Sequence, residues 1–426
     1  MKKRNRASYI IAFCTTLIRY YDYALFGLSA SVISKSFMPS ADETEQLFYF
    51  FAIFSIAVLA RPFGSLIFGK IGDLIGRVAA VKIAAIIAAI STSFIGFIPK
   101  YQDVGSISVL LLLLCRMMFL ISLAGDTDAI KIYIAEKISK RNRHFANGLV
   151  SFSSQIGVLI AATLYYFAMN FEEVTWLWRV NFLIGGIGGI TILLLRKYFE
   201  ESEVYLKNKR KQQCQLVNLG IMAIIKNYKI EFLLAIFVIG ALGGVYHFLI
   251  IFLNTFAASI DIISTDLAKL YNMKLVIIYS IASLISGIVA DRVNIQKQIT
   301  LSLTASLILI LIVQLMMNIN VFLVSVHMLL VFLAPFYVIP SQIAIQSLFP
   351  SRLRMRMFSL SHSIGSVCFS SSMPFLGMVL WKYTEMFSVV ISLFIMLLGV
   401  LFFAFAYINR MNYENFFEKE NIEQEA

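Results

Sequence analysis

A segment must hold about 20 predominantly apolar residues to cross the roughly 30 Å hydrocarbon layer of a bilayer. This chain offers about twelve such segments, at residues 9–34, 46–69, 78–98, 105–135, 147–170, 177–198, 231–256, 267–290, 299–318, 320–345, 357–381 and 385–409. Backbone polar groups inside lipid must be satisfied within the protein, and sequential apolar segments of this length do so as helices. The expected fold is an all-α membrane protein of twelve transmembrane helices. Composition agrees: 59% of residues are hydrophobic and only 14% charged, against about 25% charged in soluble domains. Soluble globular, disordered and disulfide-scaffold classes are excluded.

The basic residues orient the segments. The connections 2–6, 70–82, 137–143, 196–229, 292–297, 352–356 and 410–419 hold 26 of the 36 Lys and Arg residues, and the opposite connections hold 4. The positive-inside rule then places both termini in the cytoplasm. The basic start, Met1 to Arg6, resembles the head of a signal peptide. Arg19 and Asp22 interrupt the apolar run and no small-residue cleavage site follows, so it is read as a retained first helix. The net charge of +12 is thus mostly topology and calls for no nucleic-acid partner.

The longest polar connection divides the chain into a six-helix bundle at 1–198, a cytoplasmic loop at 199–230, a second six-helix bundle at 231–410 and a cytoplasmic tail at 411–426. The halves echo each other. Gly69 precedes Asp73 by four residues, Gly287 precedes Asp291 by four, and the two Asp residues are 218 positions apart. Duplicated bundles joined by a basic loop form a transporter architecture, with the substrate site at the repeat interface near midplane. Cys14, Cys115, Cys214 and Cys368 are scattered without metal or disulfide spacing. No nucleophile–base constellation and no phosphate-cradling loop of the ATPase type occurs. No enzyme, metal or cofactor is expected.

Gly69-Lys-Ile-Gly72-Asp73-Leu-Ile-Gly76-Arg77 resembles the loop signature of the major facilitator superfamily. A narrower resemblance, to its metabolite–proton symporters (proline/betaine, α-ketoglutarate, citrate and shikimate carriers), covers nearly the whole chain. It rests on Tyr21-Asp22-Tyr23 with Phe26-Gly27, Arg61-Pro62 through Gly64, Phe68 and Asp73, Ala124-Gly125-Asp126 with Ala135-Glu136, Trp176-Leu-Trp178-Arg179 with Phe182, and Arg196 with Glu200-Glu201. Arg19 stands where members often carry an acidic residue, and Asp126 where they carry Glu. The resemblance implies the two-bundle fold. It also implies that Gly69, Gly72, Asp73, Gly76 and Arg77, echoed by Asp291 and Arg292, form a conformational-switch loop.

Charges inside a membrane are expensive and point to function. Arg19 and Asp22 lie three apart on one helix and can pair. Arg116 lies at a depth overlapping that of Asp22. A nearby cation favours a charged carboxylate and burial disfavours it, so a cavity that opens and closes would change the proton affinity of Asp22. Asp126 has no offsetting partner on its own helix. Asp22 and Asp126 are therefore the expected proton-coupling carboxylates. Arg19, Arg116, Tyr23 and, on the serine-rich eleventh segment, His362 are the expected substrate contacts. Asp73 is expected to face the N-terminal dipole of that eleventh segment.

These readings predict a monomeric secondary transporter of the bacterial inner membrane. Its partners would be the bilayer, protons and a small organic anion or zwitterion, either proline/betaine-like or a carboxylate. The alternatives are a transport-incompetent receptor or scaffold of the same fold, or an exchanger or exporter.

Overall fold

A computed structural model describes residues 2–38, 43–169, 176–195, 201, 220–259, 264–316 and 325–410. Arg196, Glu200, most of the expected central loop, the narrow divide at 318–320 and the tail at 411–426 lie outside the described residues.

The described residues form helices in chain order: α1 (Lys2–Leu28), α2 (Ala30–Phe37), α3 (Glu43–Val58), α4 (Arg61–Leu74), α5 (Arg77–Phe97), α6 (Tyr101–Val104), α7 (Ser106–Lys137), α8 (Arg143–Met169), α9 (Leu177–Leu195), α10 (Ile221–Asn227), α11 (Lys229–Tyr246), α12 (Leu253–Ser259), α13 (Thr265–Ala290), α14 (Ile295–Met316), α15 (His327–Ser347), α16 (Arg354–Gly365), α17 (Met373–Thr384) and α18 (Phe387–Arg410). Ten spans among the described residues are long and apolar enough to cross a membrane. The other two expected segments are helical as well: α1, interrupted by Arg19 and Asp22, and α9, described over 19 residues.

Breaks inside the spans have local causes. Between α3 and α4, Pro62 carries no N–H, and the chain tightens: Leu59 and Ala60 donate to Ile56 and Ala57, three residues back, at 3.1 Å each. Two wide π-helical turns interrupt later spans, His247–Phe252 between α11 and α12, and Ser366–Ser370 between α16 and α17. In the first, Leu253 N donates to Phe248 O, five residues back, which takes that donor away from Leu249. His327 Nε2 meets the Leu249 carbonyl at 2.7 Å. Within α15, Pro340 likewise has no N–H for the Phe336 carbonyl; Gln298 of α14 donates to it instead at 3.0 Å.

The helices group into two units. One holds residues 1–137 and 153–217, the other 138–152 and 218–426. In the first, α5 packs on α7 and α9, α4 on α7, and α1 on α9. In the second, α11 packs on α16 and α18, and α15 on α13 and α14. The start of α8 groups with the second unit rather than with the block 1–198. Small residues account for this: a Cβ on Gly148 would overlap Ser283 O, and one on Gly287 would overlap the His144 carbonyl. Asn147 Nδ2 also donates to Ile339 O at 3.0 Å.

Candidate functional site

The first unit buries a cluster of charges around α1. Tyr21 OH donates to the Asn181 carbonyl of α9 at 2.8 Å, which fixes the rotation of α1 at this level. Arg19, two residues earlier, is 2% exposed and reaches two carboxylates. Its Nη1 meets Asp22 Oδ2 at 3.3 Å, and its Nε meets Asp126 Oδ2 of α7 at 2.8 Å. The expected Arg19–Asp22 pair is present, and Asp126 has joined it from 107 residues away. Both carboxylates are buried, so the guanidinium that bridges them offsets much of their desolvation.

Arg116 is also buried, but it pairs with no carboxylate among the described residues, and its Nε and Nη2 have no hydrogen-bond partner. Four aromatic rings hold it instead. Its guanidinium carbon lies 4.3 Å from the Phe26 centroid, 5.1 Å from Phe119, 5.3 Å from Tyr23 and 5.3 Å from Phe54. Each such contact is worth about 0.5–2 kcal/mol, more when water is excluded. Asp22 therefore pairs with Arg19 rather than Arg116, while Tyr23 is brought to Arg116 as one wall of its cage. Phe26, Phe54 and Phe119 were not among the expected contacts; Phe26 carried a signal through its place in the helix-one motif, and Phe119 through standing, with Leu120, where the resembled family carries a Gln-Gly pair.

His362 belongs to the second unit. It lies on α16, half-buried, with its ring 6.1 Å from that of Phe358. Ser359 and Ser363 on the same helix are buried, as are Ser366 and Ser370 in the π turn. Ser370 Oγ donates to Gly240 O of α11 at 3.3 Å.

The glycine-rich loop forms a corner between α4 and α5. Gly76 has φ 140°, a conformation that side chains disfavour. Gly69 and Gly72 are buried. Arg77 Nη1 donates to the Gly72 carbonyl at 2.7 Å and pairs with Asp73 at 3.2 Å; its Nη2 pairs with Glu136 of α7 at 3.3 Å. Glu201 accepts hydrogen bonds from the backbone N–H groups of Arg77 and Val78, both at 3.1 Å. A carboxylate thus caps the N-terminus of α5, where unsatisfied donors and the helix dipole favour an anion. Glu136 and Glu201 appeared in the sequence only within the family resemblance.

The second unit has a counterpart with different partners. Asp291 accepts the backbone N–H groups of His144 at 3.0 Å and Phe145 at 2.9 Å, and its Oδ1 lies 2.9 Å from His144 Nδ1. It caps the start of α8. Arg292 is exposed rather than folded back as Arg77 is. His144 had no sequence signal. At the opposite end of α5, Arg179 Nη1 donates to the last carbonyls, Gly96 at 3.1 Å and Ile98 at 2.7 Å, which explains its place beside Trp178.

The family profile described as "Sugar (and other) transporter" matches residues 7–216. The chain is 34% identical over 194 residues to the proline/betaine transporter of Salmonella typhimurium, covering 44% of this chain and 38% of that protein. It thus spans well under half the length of the first relatives it matches. It is 24% identical to the citrate-proton symporter of Klebsiella pneumoniae over 379 residues, 86% of this chain and 83% of that one. Among solved structures, the proton:xylose symporter XylE superposes with a TM-score of 0.77 at 17% identity, covering 96% of each chain. The transporter FucP superposes with a TM-score of 0.67 at 14% identity, covering 94% of this chain and 99% of that one. The fold is that of the major facilitator transporters. Over the matched stretches the chain resembles the proline/betaine and citrate-proton symporters.

Proposed function

We propose that this protein is a secondary active transporter of the bacterial inner membrane that couples proton movement to transport of a small organic anion or zwitterion. Relatives named as proline/betaine transporters and a citrate-proton symporter support the class. One observation carries the mechanism: Arg19 bridges two buried carboxylates, Asp22 and Asp126, while a second buried cation, Arg116, sits beside them without an acid of its own.

Two carboxylates on one guanidinium leave that group one negative charge in excess, and Arg116 offsets it only at a distance. A proton delivered to Asp22 or Asp126 removes the excess. The cluster then carries one net positive charge, located on Arg116, whose open Nε and Nη2 groups suit a substrate carboxylate. Proton first and anion second keeps the buried charge near zero throughout, and it ties the two fluxes together. Tyr23 borders Arg116 and takes part in the same contact. His362 on α16 is a further candidate substrate contact. Asp73 with Arg77, and Asp291 at the start of α8, serve as the conformational-switch corners, with both termini in the cytoplasm.

The test is uptake of radiolabelled proline, glycine betaine and citrate into proteoliposomes under an imposed inward proton gradient. At least one solute should accumulate above equilibrium and lose that accumulation when a protonophore is added. Uptake of a solute that ignores the gradient would refute proton coupling.

A further inference from the structure

Asp22 has almost no room to move, and the wall that confines it is a glycine. α9 carries Gly185-Gly186-Ile187-Gly188-Gly189 where it faces α1 and α5. A Cβ built on Gly185 would overlap Asp22 Oδ1 and would lie 3.2 Å from both Thr92 Cγ2 and Tyr21 Cε1. The carboxylate therefore rests directly on the α9 backbone. The adjacent tie is independent of this contact: Tyr21 OH is bonded to Asn181 O, one turn earlier on the same helix. The other face of α1 is held as closely, since a Cβ on Gly157 of α8 would overlap the Leu17 carbonyl.

We infer that Gly185 is a positioning residue for Asp22: it sets how far the carboxylate stands from Arg19 and so sets its proton affinity. This rests on the reading of Asp22 as a proton carrier. The charged groups facing Asp22 are Arg19 on its own helix and Arg116 and Asp126 on α7; α5 presents Thr92, and α8 has no charged residue over 153–169. A methyl group at Gly185 would press on Oδ1 and push the carboxylate off its present contact with Arg19, 3.3 Å away. Gly188, one turn on, is a packing control. Its added Cβ would meet the flexible end of Ile18, Cδ1 at 3.1 Å, and its three nearest neighbours are all carbons of that side chain.

The experiment is an infrared titration of the carboxyl C=O band in purified, lipid-reconstituted full-length protein, which needs no substrate. Asp22→Asn identifies the band by deleting it. Gly185→Ala should move its midpoint by about half a pH unit or more, roughly a threefold change in proton affinity, and Gly188→Ala should leave it in place. If Gly185→Ala does not run as a single folded species, Tyr21→Phe, which removes the neighbouring tie without adding volume, should move the midpoint instead. A midpoint unchanged in Gly185→Ala, or moved equally by Gly188→Ala, overturns the inference while leaving Asp22 as a proton carrier. If Asp22→Asn deletes no titrating band, the functional reading of Asp22 falls, and the inference with it.

Discussion

Replacing Asp291 by Ala removes the cap at the start of α8. The carboxylate accepts two backbone N–H groups, from His144 and Phe145, and approaches the His144 ring as well. Loss of an N-cap acceptor costs about 1 kcal/mol, and a charged acceptor at a partly buried site raises that to about 2 kcal/mol. At 1.4 kcal/mol per decade, the first turn of α8 should open roughly 30-fold more often. Asp291→Asn keeps one acceptor oxygen but turns an NH2 group toward the second backbone N–H, so it loses that hydrogen bond as well as the charge–dipole part of about 0.3–1 kcal/mol, and its opening should fall between those of the wild type and Asp291→Ala. Residue-resolved hydrogen exchange on the amides of His144 and Phe145 reads both values. Wild-type exchange at those two amides in Asp291→Ala would refute the assignment of Asp291 as the cap.

Gln298→Leu should destabilise the second unit by about 1–3 kcal/mol, because the Phe336 carbonyl loses its donor. Adding Pro340→Ala, which restores the backbone N–H, should recover part of that loss in a double-mutant cycle of thermal unfolding, and strict additivity would contradict the pairing. Gly64→Ala would drive a methyl group into the Ile121 backbone of α7 and should cost about 1–3 kcal/mol, seen as a lower unfolding temperature. Arg19→Met would leave Asp22 and Asp126 buried without their cation and should cost about 3–5 kcal/mol at neutral pH. Its thermal stability should then recover as the pH is lowered and the carboxylates become neutral; a deficit that ignores pH would contradict the bridge.

The spans were legible because twenty-residue apolar runs in lipid have one economical backbone solution. The glycine motifs were legible as family marks, and the structure supplies their physical reasons: Gly64 admits the Ile121 backbone, and Gly76 makes the corner at φ 140°. Pairing within a helix was also readable, since Arg19 and Asp22 are three apart. Pairing across helices was not. Asp126 reaches Arg19 over 107 residues, and Asp291 reaches His144 over 147. Nothing local in sequence fixes the rotation of one helix against another; close backbone approach at glycines fixes it here. The same limit hid the cage of Arg116, whose rings come from α1, α3 and α7, and the role of Gln298, which answers a proline 42 residues away.

The most direct test of the account uses Asp22→Asn and Asp126→Asn in proteoliposomes, assayed for both gradient-driven uptake and solute counterflow. Asparagine keeps the shape and polarity of the carboxyl group but carries no exchangeable charge. The account predicts that at least one substitution abolishes accumulation against a gradient while counterflow, which needs no net proton movement, persists. Full, pH-dependent, gradient-driven uptake in both variants would contradict it.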